Sequence, residues 1–237
     1  FPFLSRLFGG PGGQNSAQDA VYWQTFRCES DGNASVADAL RELNARTPLL
    51  DAAGTPAQPI GWECSCLVRK CGACAMRING VPRLACSVFL RDIKSGRLLL
   101  EPLSKFPLVR DLIVDRRVMF DRLKEMQVWL DGEADKHPRT HAARYQSARC
   151  LQCGCCLEIC PNFCAEQPFG GAAAAVNAFR VLDQETDAAH KQELMQQYRA
   201  SYYEGCGKSL ACQDICPAGI PVEELLVRSN AAAIWKR

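Results

Sequence analysis

No stretch of this 237-residue chain approaches the ~20 apolar residues that a membrane-spanning helix needs. Neither sign of charge is in excess. The net charge is +2, which gives no broad push toward nucleic acid. Histidine is scarce, with three in all. His137 and His141 stand four apart, but Pro138 spoils the helix that would pair them on a metal, so both read as solvated loop residues. His190 reads as a surface residue of a polar helix. There is no Ser–His–Asp set and no paired-carboxylate arrangement, so no substrate site of its own is expected. Gly9 to Gly13 open no βαβ unit, and nucleotide binding is unsupported. The start, Phe1 to Gly13, is too short and too poorly flanked for a secretory signal, and residues 1–19 read as an N-terminal tail.

What the chain has is cysteine: fifteen residues, eleven of them in three spaced groups. Cys66, Cys71, Cys74 and Cys86 show the gaps of a plant-type [2Fe–2S] set. Cys150, Cys153, Cys156 and Cys160, followed by Pro161, show the two-two-three spacing of bacterial ferredoxins, whose last cysteine serves the other cluster of a pair. Cys206, Cys212 and Cys216, followed by Pro217, repeat that run with Ser209 at the position of the missing cysteine. A missing thiolate favours [3Fe–4S] over [4Fe–4S], although a serine oxygen could hold a fourth iron. A disulfide framework is a poor alternative, because the chain is long, 48% hydrophobic and able to build cores without staples. A zinc-stabilised assembly module is the stronger rival, since two-residue gaps also suit tetrahedral zinc. Zinc explains neither Cys-Pro ending and leaves ligands over. Cys28, Cys64, Cys155 and Cys164 read as non-ligands; Cys64 fits its motif worse than Cys66, and only Cys156 keeps two-two-three.

The pattern around the cysteines predicts an α+β chain of two domains. Residues 20–105 carry a strand at 21–28, a helix at 35–46, and a cluster-wrapping loop at 61–74. A hairpin turning at Asn79-Gly80 has its return strand through 84–89, which brings Cys86 back opposite the loop, and 97–101 is a further strand. A small sheet, one helix and a cluster loop imply a β-grasp plant-type ferredoxin domain. Residues 106–237 read as an all-α, bacterial-ferredoxin-like domain, with helices at 114–129, 172–182, 188–202 and 222–233 and a loop at 131–141. Arg116, Arg117, Arg122 and Lys124 read as a solvated helix face. Each Cys-Pro turns the chain away, so the two motifs interleave. Cys150, Cys153 and Cys156 then share one cluster with Cys216, and Cys160 joins Cys206 and Cys212 on the other. Thiolate-held clusters point to a reducing interior such as the cytoplasm.

With these motifs in this order, the chain resembles the iron–sulfur subunits of succinate dehydrogenase and fumarate reductase. Cys71-Gly-Ala-Cys74-Ala-Met, Leu84-Ala-Cys86 and Phe106-Pro-Leu-Val-Arg-Asp-Leu-Ile-Val-Asp115 match as well, over nearly the whole chain past residue 20. Asn79-Gly-Val-Pro-Arg-Leu-Ala-Cys86 leans toward the fumarate reductases. The resemblance implies an electron relay through [2Fe–2S], [4Fe–4S] and [3Fe–4S]. One end meets a flavoprotein subunit that interconverts succinate and fumarate on FAD. The other meets a quinone beside membrane-anchor subunits, peripheral on the cytoplasmic face of the cell membrane or the matrix side of the mitochondrial inner membrane. It also implies that Pro161 and Ser209 lie near the quinone. Around that end the chain departs from the family, with Asn162, Phe163 and Cys164 after the middle motif, Gly207 after Cys206, and Arg228 and Asn230 in the last helix. The alternative is an equivalent subunit on another flavoprotein, of the thiol-linked fumarate reductase or 2-hydroxy-acid or glycerol-phosphate dehydrogenase type.

Overall fold

The structure, a computed structural model, describes residues 2–8, 21–29, 32–136 and 141–235. It divides into two compact units, Phe1–Asp115 and Arg116–Arg237.

The first unit is built on a five-stranded sheet of order β2-β1-β5-β3-β4. β1 (Pro2–Phe8) runs antiparallel to β2 (Val21–Arg27) and parallel to β5 (Leu98–Glu101). The expected N-terminal tail is therefore in part a central strand, which joins β2 on one side to β5, some ninety residues away, on the other. Residues 9–19 fall outside the described residues. β3 (Ala75–Ile78) and β4 (Val81–Leu84) form the hairpin, with Asn79 at φ 50° and Gly80 at φ 79°, the left-handed pair that a tight primed turn requires. The return strand stops at Leu84, earlier than expected. Ala85–Ser87 coil into a 3₁₀ turn, and the Ala85 amide donates to the Cys74 carbonyl at 3.0 Å, which sets Cys86 beside Cys74.

Helix α1 (Val36–Ala45) starts on a reciprocal cap: the Ser35 hydroxyl accepts from the Asp38 amide, and the Asp38 carboxylate accepts from Ser35. Val36, Ala37, Ala39, Leu40 and Leu43 are buried along one stripe, the spacing that 3.6 residues per turn imposes. The unit runs on past residue 105 to Asp115, later than the expected boundary, because β6 (Leu108–Arg110) and β7 (Ile113–Val114) fold back on the segment entering the cluster loop. The Asp111 carboxylate accepts from the Gly61 amide at 2.7 Å, and the Leu112 amide donates to the Gly61 carbonyl at 3.0 Å.

The second unit is helical: α2 (Arg117–Glu125), α3 (His141–Ala148), α4 (Cys155–Glu158), α5 (Gly171–Leu182), α6 (Ala188–Tyr198), α7 (Ala211–Asp214) and α8 (Val222–Asn230). α5 is buried on almost every side and touches α2, α3, α4, α6 and α8. Its run Ala172–Ala175 keeps the helix thin enough for neighbours to close on it. Gly171 sits at φ 58°, and a Cβ there would lie 2.4 Å from Leu157 Cδ2, so the start of α5 can press on α4 only as glycine. α2 is shorter than the expected 114–129. α3 was not anticipated; part of it falls within the expected loop at 131–141. His141 is exposed at the start of α3, whereas His137 and Pro138 lie outside the described residues. His190 is also corrected: it is buried, with Nε2 3.1 Å from the Trp129 carbonyl oxygen and its ring stacked on Trp129. The polar neighbours of His190 in sequence hid a position that faces the segment at 129–131.

Candidate iron–sulfur sites

The first group of cysteines gathers at the open end of the β3–β4 hairpin. Cys74 Sγ and Cys86 Sγ are 3.4 Å apart and both buried, while Cys66 and Cys71 are half-buried in the loop. That loop is wound tightly: Leu67 stands at φ 54° and Arg69 at φ 63°, in the left-handed region that non-glycine residues rarely enter. The residue after each of these turns its amide onto the ligand sulfur. Val68 N–H donates to Cys66 Sγ at 3.4 Å and Lys70 N–H at 3.2 Å. These donors hold the Cys66 thiol down at about 7, Val68 contributing most. Burial pushes the Cys74 thiol the other way, up to about 12.

Left-handed backbone recurs in the cysteine motifs of the second unit. Of the eight described non-glycine residues with positive φ, five lie inside the cysteine motifs: Leu67, Arg69, Gln152, Lys208 and Leu210. Strain of this kind collects where a surrounding structure over-determines the chain, as at ligand clamps.

The seven cysteines of the second and third groups surround two cavities. One is lined by Cys150, Cys153, Cys156 and Cys216, against Ala172, Ala173 and Val176 of α5. The other is lined by Cys160, Cys206 and Cys212, together with Pro161 and Ser209. Cys212 also touches the first cavity, but Cys160 and Cys206 are the cysteines whose charges act most on it, and with burial they push its thiol up to about 11. Cys216 thus lines the same cavity as Cys150, Cys153 and Cys156, and Cys160 lines the same cavity as Cys206 and Cys212.

Of the cysteines read as non-ligands, Cys155 is fully buried and bonds to Cys153, helping to hold that thiol down at about 7; Cys156, not Cys155, lines the cavity. Cys28 is buried near Glu42, and Cys64 and Cys164 are exposed. Among the described residues, which include every cysteine, there is no disulfide. Nor do any three described His, Cys, Asp or Glu side chains converge as a single metal ion would need, with Zn–S contacts of ~2.3 Å. Thiols ringed around apolar cavities fit polynuclear iron–sulfur groups, for which soft sulfur ligands are selective.

Two neighbours of these sites, Arg116 and Tyr202, carried no signal in the sequence. Arg116, read as part of a solvated face, reaches the Cys153 carbonyl at 3.5 Å, and its charge favours the Cys153 thiolate. Arg122, from the same face, is only 15% exposed and pairs with Glu125. Tyr202, read as part of a helix, places its phenol oxygen 3.2 Å from Cys206 Sγ. A tyrosine four residues before a cysteine looks like any core aromatic until the turn between them is known.

Comparison with known proteins agrees with this layout. The 2Fe-2S iron-sulfur cluster binding domain family matches residues 13–121, and the 4Fe-4S dicluster domain family matches residues 146–220. The chain is 34% identical to the succinate dehydrogenase iron-sulfur subunit of Bacillus subtilis over 229 residues, covering 92% of this chain and 88% of that protein. It is 33% identical to the fumarate reductase iron-sulfur subunit of Escherichia coli over 186 residues, covering 73% of this chain and 76% of that protein. Among solved structures, a chain of the Mycobacterium smegmatis Sdh1 complex in the apo form shares the fold with a TM-score of 0.76 at 17% identity, covering 99% of this chain and 96% of that one. The near-equal identities to the two named activities do not choose between them. Identity at this level across most of the molecule does fix the family: the chain belongs to the iron–sulfur subunits of succinate dehydrogenase and fumarate reductase, and its role in that oxidoreductase complex is electron transfer.

Proposed function

We propose that the chain relays electrons between a flavoprotein subunit, carrying FAD and the succinate/fumarate site, and a quinone held beside membrane-anchor subunits. The observation that carries the finer reading is the sharing of seven cysteines between two cavities, with Ser209 beside the one that has a thiolate fewer. On that basis Cys66, Cys71, Cys74 and Cys86 hold [2Fe–2S] in a β-grasp ferredoxin domain. Cys150, Cys153, Cys156 and Cys216 hold [4Fe–4S], and Cys160, Cys206 and Cys212 hold [3Fe–4S], in an all-α ferredoxin-like domain. Ser209 departs from a dicluster pattern with two full cysteine sets. Each cluster, when bound, takes up and gives back one electron. The protein's part is to fix the sulfurs, exclude water and aim donors at them. Val68 and Lys70 amides do this at Cys66, and Ala172, Ala173 and Val176 of α5 give the cavity at Cys156 an apolar wall. Pro161 and Ser209 line the cavity at Cys206, and the family resemblance puts the quinone close to them.

Among the described residues no helix is long and apolar enough to cross a membrane. Membrane association would then come through the anchor partners, with the chain on the cytoplasmic face, or on the matrix side in a mitochondrion. The test is purification of the native complex under anaerobic conditions. Expected are a flavoprotein partner, succinate-dependent dye reduction, acid-labile sulfide, a reduced [2Fe–2S] EPR signal and an oxidised [3Fe–4S] signal. A colourless sample with zinc and no labile sulfide would overturn the assignment. Activity with a 2-hydroxy acid, glycerol phosphate or thiol in place of succinate would move the same relay to a different flavoprotein.

A further inference from the structure

Tyr202 is not a ligand, yet it is held against one. Its ring is 2% exposed and fixed from two sides. Phe169 stacks on it at 6.0 Å with an interplanar angle of 18°, and Tyr198 tilts against it at 5.2 Å. Both clamps are themselves anchored. The Tyr198 hydroxyl donates to Asn230 Oδ1 at 2.7 Å. Phe169 fits only because residue 205 is glycine, where a Cβ would come within 2.6 Å of Phe169 Cδ2. The last turn of α6 opens into a π-helical turn, Arg199–Tyr203, which shifts the angular position of the residues that follow it. Such turns recur at functional sites. With the ring fixed, the phenol oxygen stays 3.2 Å from Cys206 Sγ.

A cysteine sulfur bound to iron carries no proton, so in that pair the phenol must be the donor. One-electron reduction adds one negative charge to the cluster and its sulfurs and moves no proton from the tyrosine. A fixed donor at sulfur favours the form with more negative charge, and does so more strongly away from water. We propose that Tyr202 is a positioning residue that raises the reduction potential of the third cluster through its hydrogen bond to Cys206. The inference rests on the proposed third cluster at Cys160, Cys206 and Cys212.

The test is a redox titration of the intact complex, following the oxidised EPR signal of the third cluster in wild type, Tyr202→Phe and Tyr198→Phe. Tyr202→Phe removes only the phenol oxygen. It is expected to lower the reduced-to-oxidised ratio at a fixed potential roughly three- to tenfold, or about 30–60 mV for a one-electron couple. Iron and sulfide content and the potentials of the other two clusters should not move. Tyr198→Phe breaks the bond to Asn230 but none to sulfur, and should leave the potential in place. An unchanged potential in Tyr202→Phe, or an equal shift in Tyr198→Phe, overturns the proposal. Should Tyr202→Phe fail to assemble, wild-type complex exchanged into D2O decides it. Pulsed EPR should show a deuteron coupled to the third cluster, and its absence overturns the bond. Failure of the cluster assignment itself reads differently, because the third signal would then be missing from wild type.

Discussion

Ser209 occupies the place of a thiolate, and its oxygen is the only chemical difference between the last motif and a full two-two-three run. A thiol loses its proton more readily than a hydroxyl, and the thiolate left is the softer ligand for iron. Ser209→Cys is therefore expected to convert the third cluster toward [4Fe–4S]. The measurement is the loss of the oxidised EPR signal together with one more iron per chain; an unchanged signal would count against the cavity assignment. The adjacent pair Cys155 and Cys156 gives a second discrimination. Cys155→Ala should keep all three clusters, because that thiol lies against Cys153 and lines neither of the two cysteine cavities, whereas Cys156→Ala should remove the second cluster. Iron and labile-sulfide analysis separates the two outcomes. At this scale the eleven spaced thiols were legible because cluster geometry constrains sequence spacing directly. The left-handed residues Leu67, Arg69, Gln152, Lys208 and Leu210 were not, since nothing in a leucine or arginine announces a positive φ that neighbours impose on it. Tyr202 and Arg116 were hidden for the same reason: their targets are set by the path of the turn, not by residue type.

Among the elements, those with local causes could be read and those with distant causes could not. α1 has its cap, its periodicity and its exit within a dozen residues, and the β3–β4 hairpin has its turn residues. β1 pairs with β5 from the far end of the unit, and the β6–β7 hairpin is tied to Gly61, so neither is encoded where it forms. α3 has only Ala143 and Ser147 buried and no clear apolar stripe. It is held instead by Arg144, which pairs with the Asp183 carboxylate at the end of α5 and with Asp135. The local elements make a local prediction. Hydrogen bonds from the Ser35 hydroxyl and amide hold the Asp38 carboxyl below its ordinary range, so near neutral pH the cap is fully ionised and complete. Ser35→Ala should cost about 1 kcal/mol, seen as faster native-state amide exchange in α1. Exchange in the second unit should be unaffected; equal protection of α1 in both proteins would show that the cap adds nothing beyond the packing of Leu40 and Leu43.

Across the whole molecule, the two units depend differently on what the cysteines hold. The first unit has a core of Phe26, Leu40, Leu43, Leu84, Leu100 and Leu103 that is complete without the loop at 62–71, no residue of which is buried. In the second unit the cavities lie between the core helices themselves: α5 faces Cys156 and Cys216, and α4 and α7 are single turns set inside the motifs. A four-residue helix has no stability of its own, so these turns persist only through tertiary contacts. Metal binding to such segments is folding free energy. Anaerobic removal of iron is thus expected to act unevenly. In the first unit amide exchange should quicken over 62–74 while α1 and β3–β5 stay protected. In the second it should quicken through 150–164 and 205–220, spread into α5 and α8, and lower the far-UV helical signal. Uniform loss across both units would mean that the sheet also depends on its cluster. Full retention in the second unit would mean that the helices hold the cavities open without help.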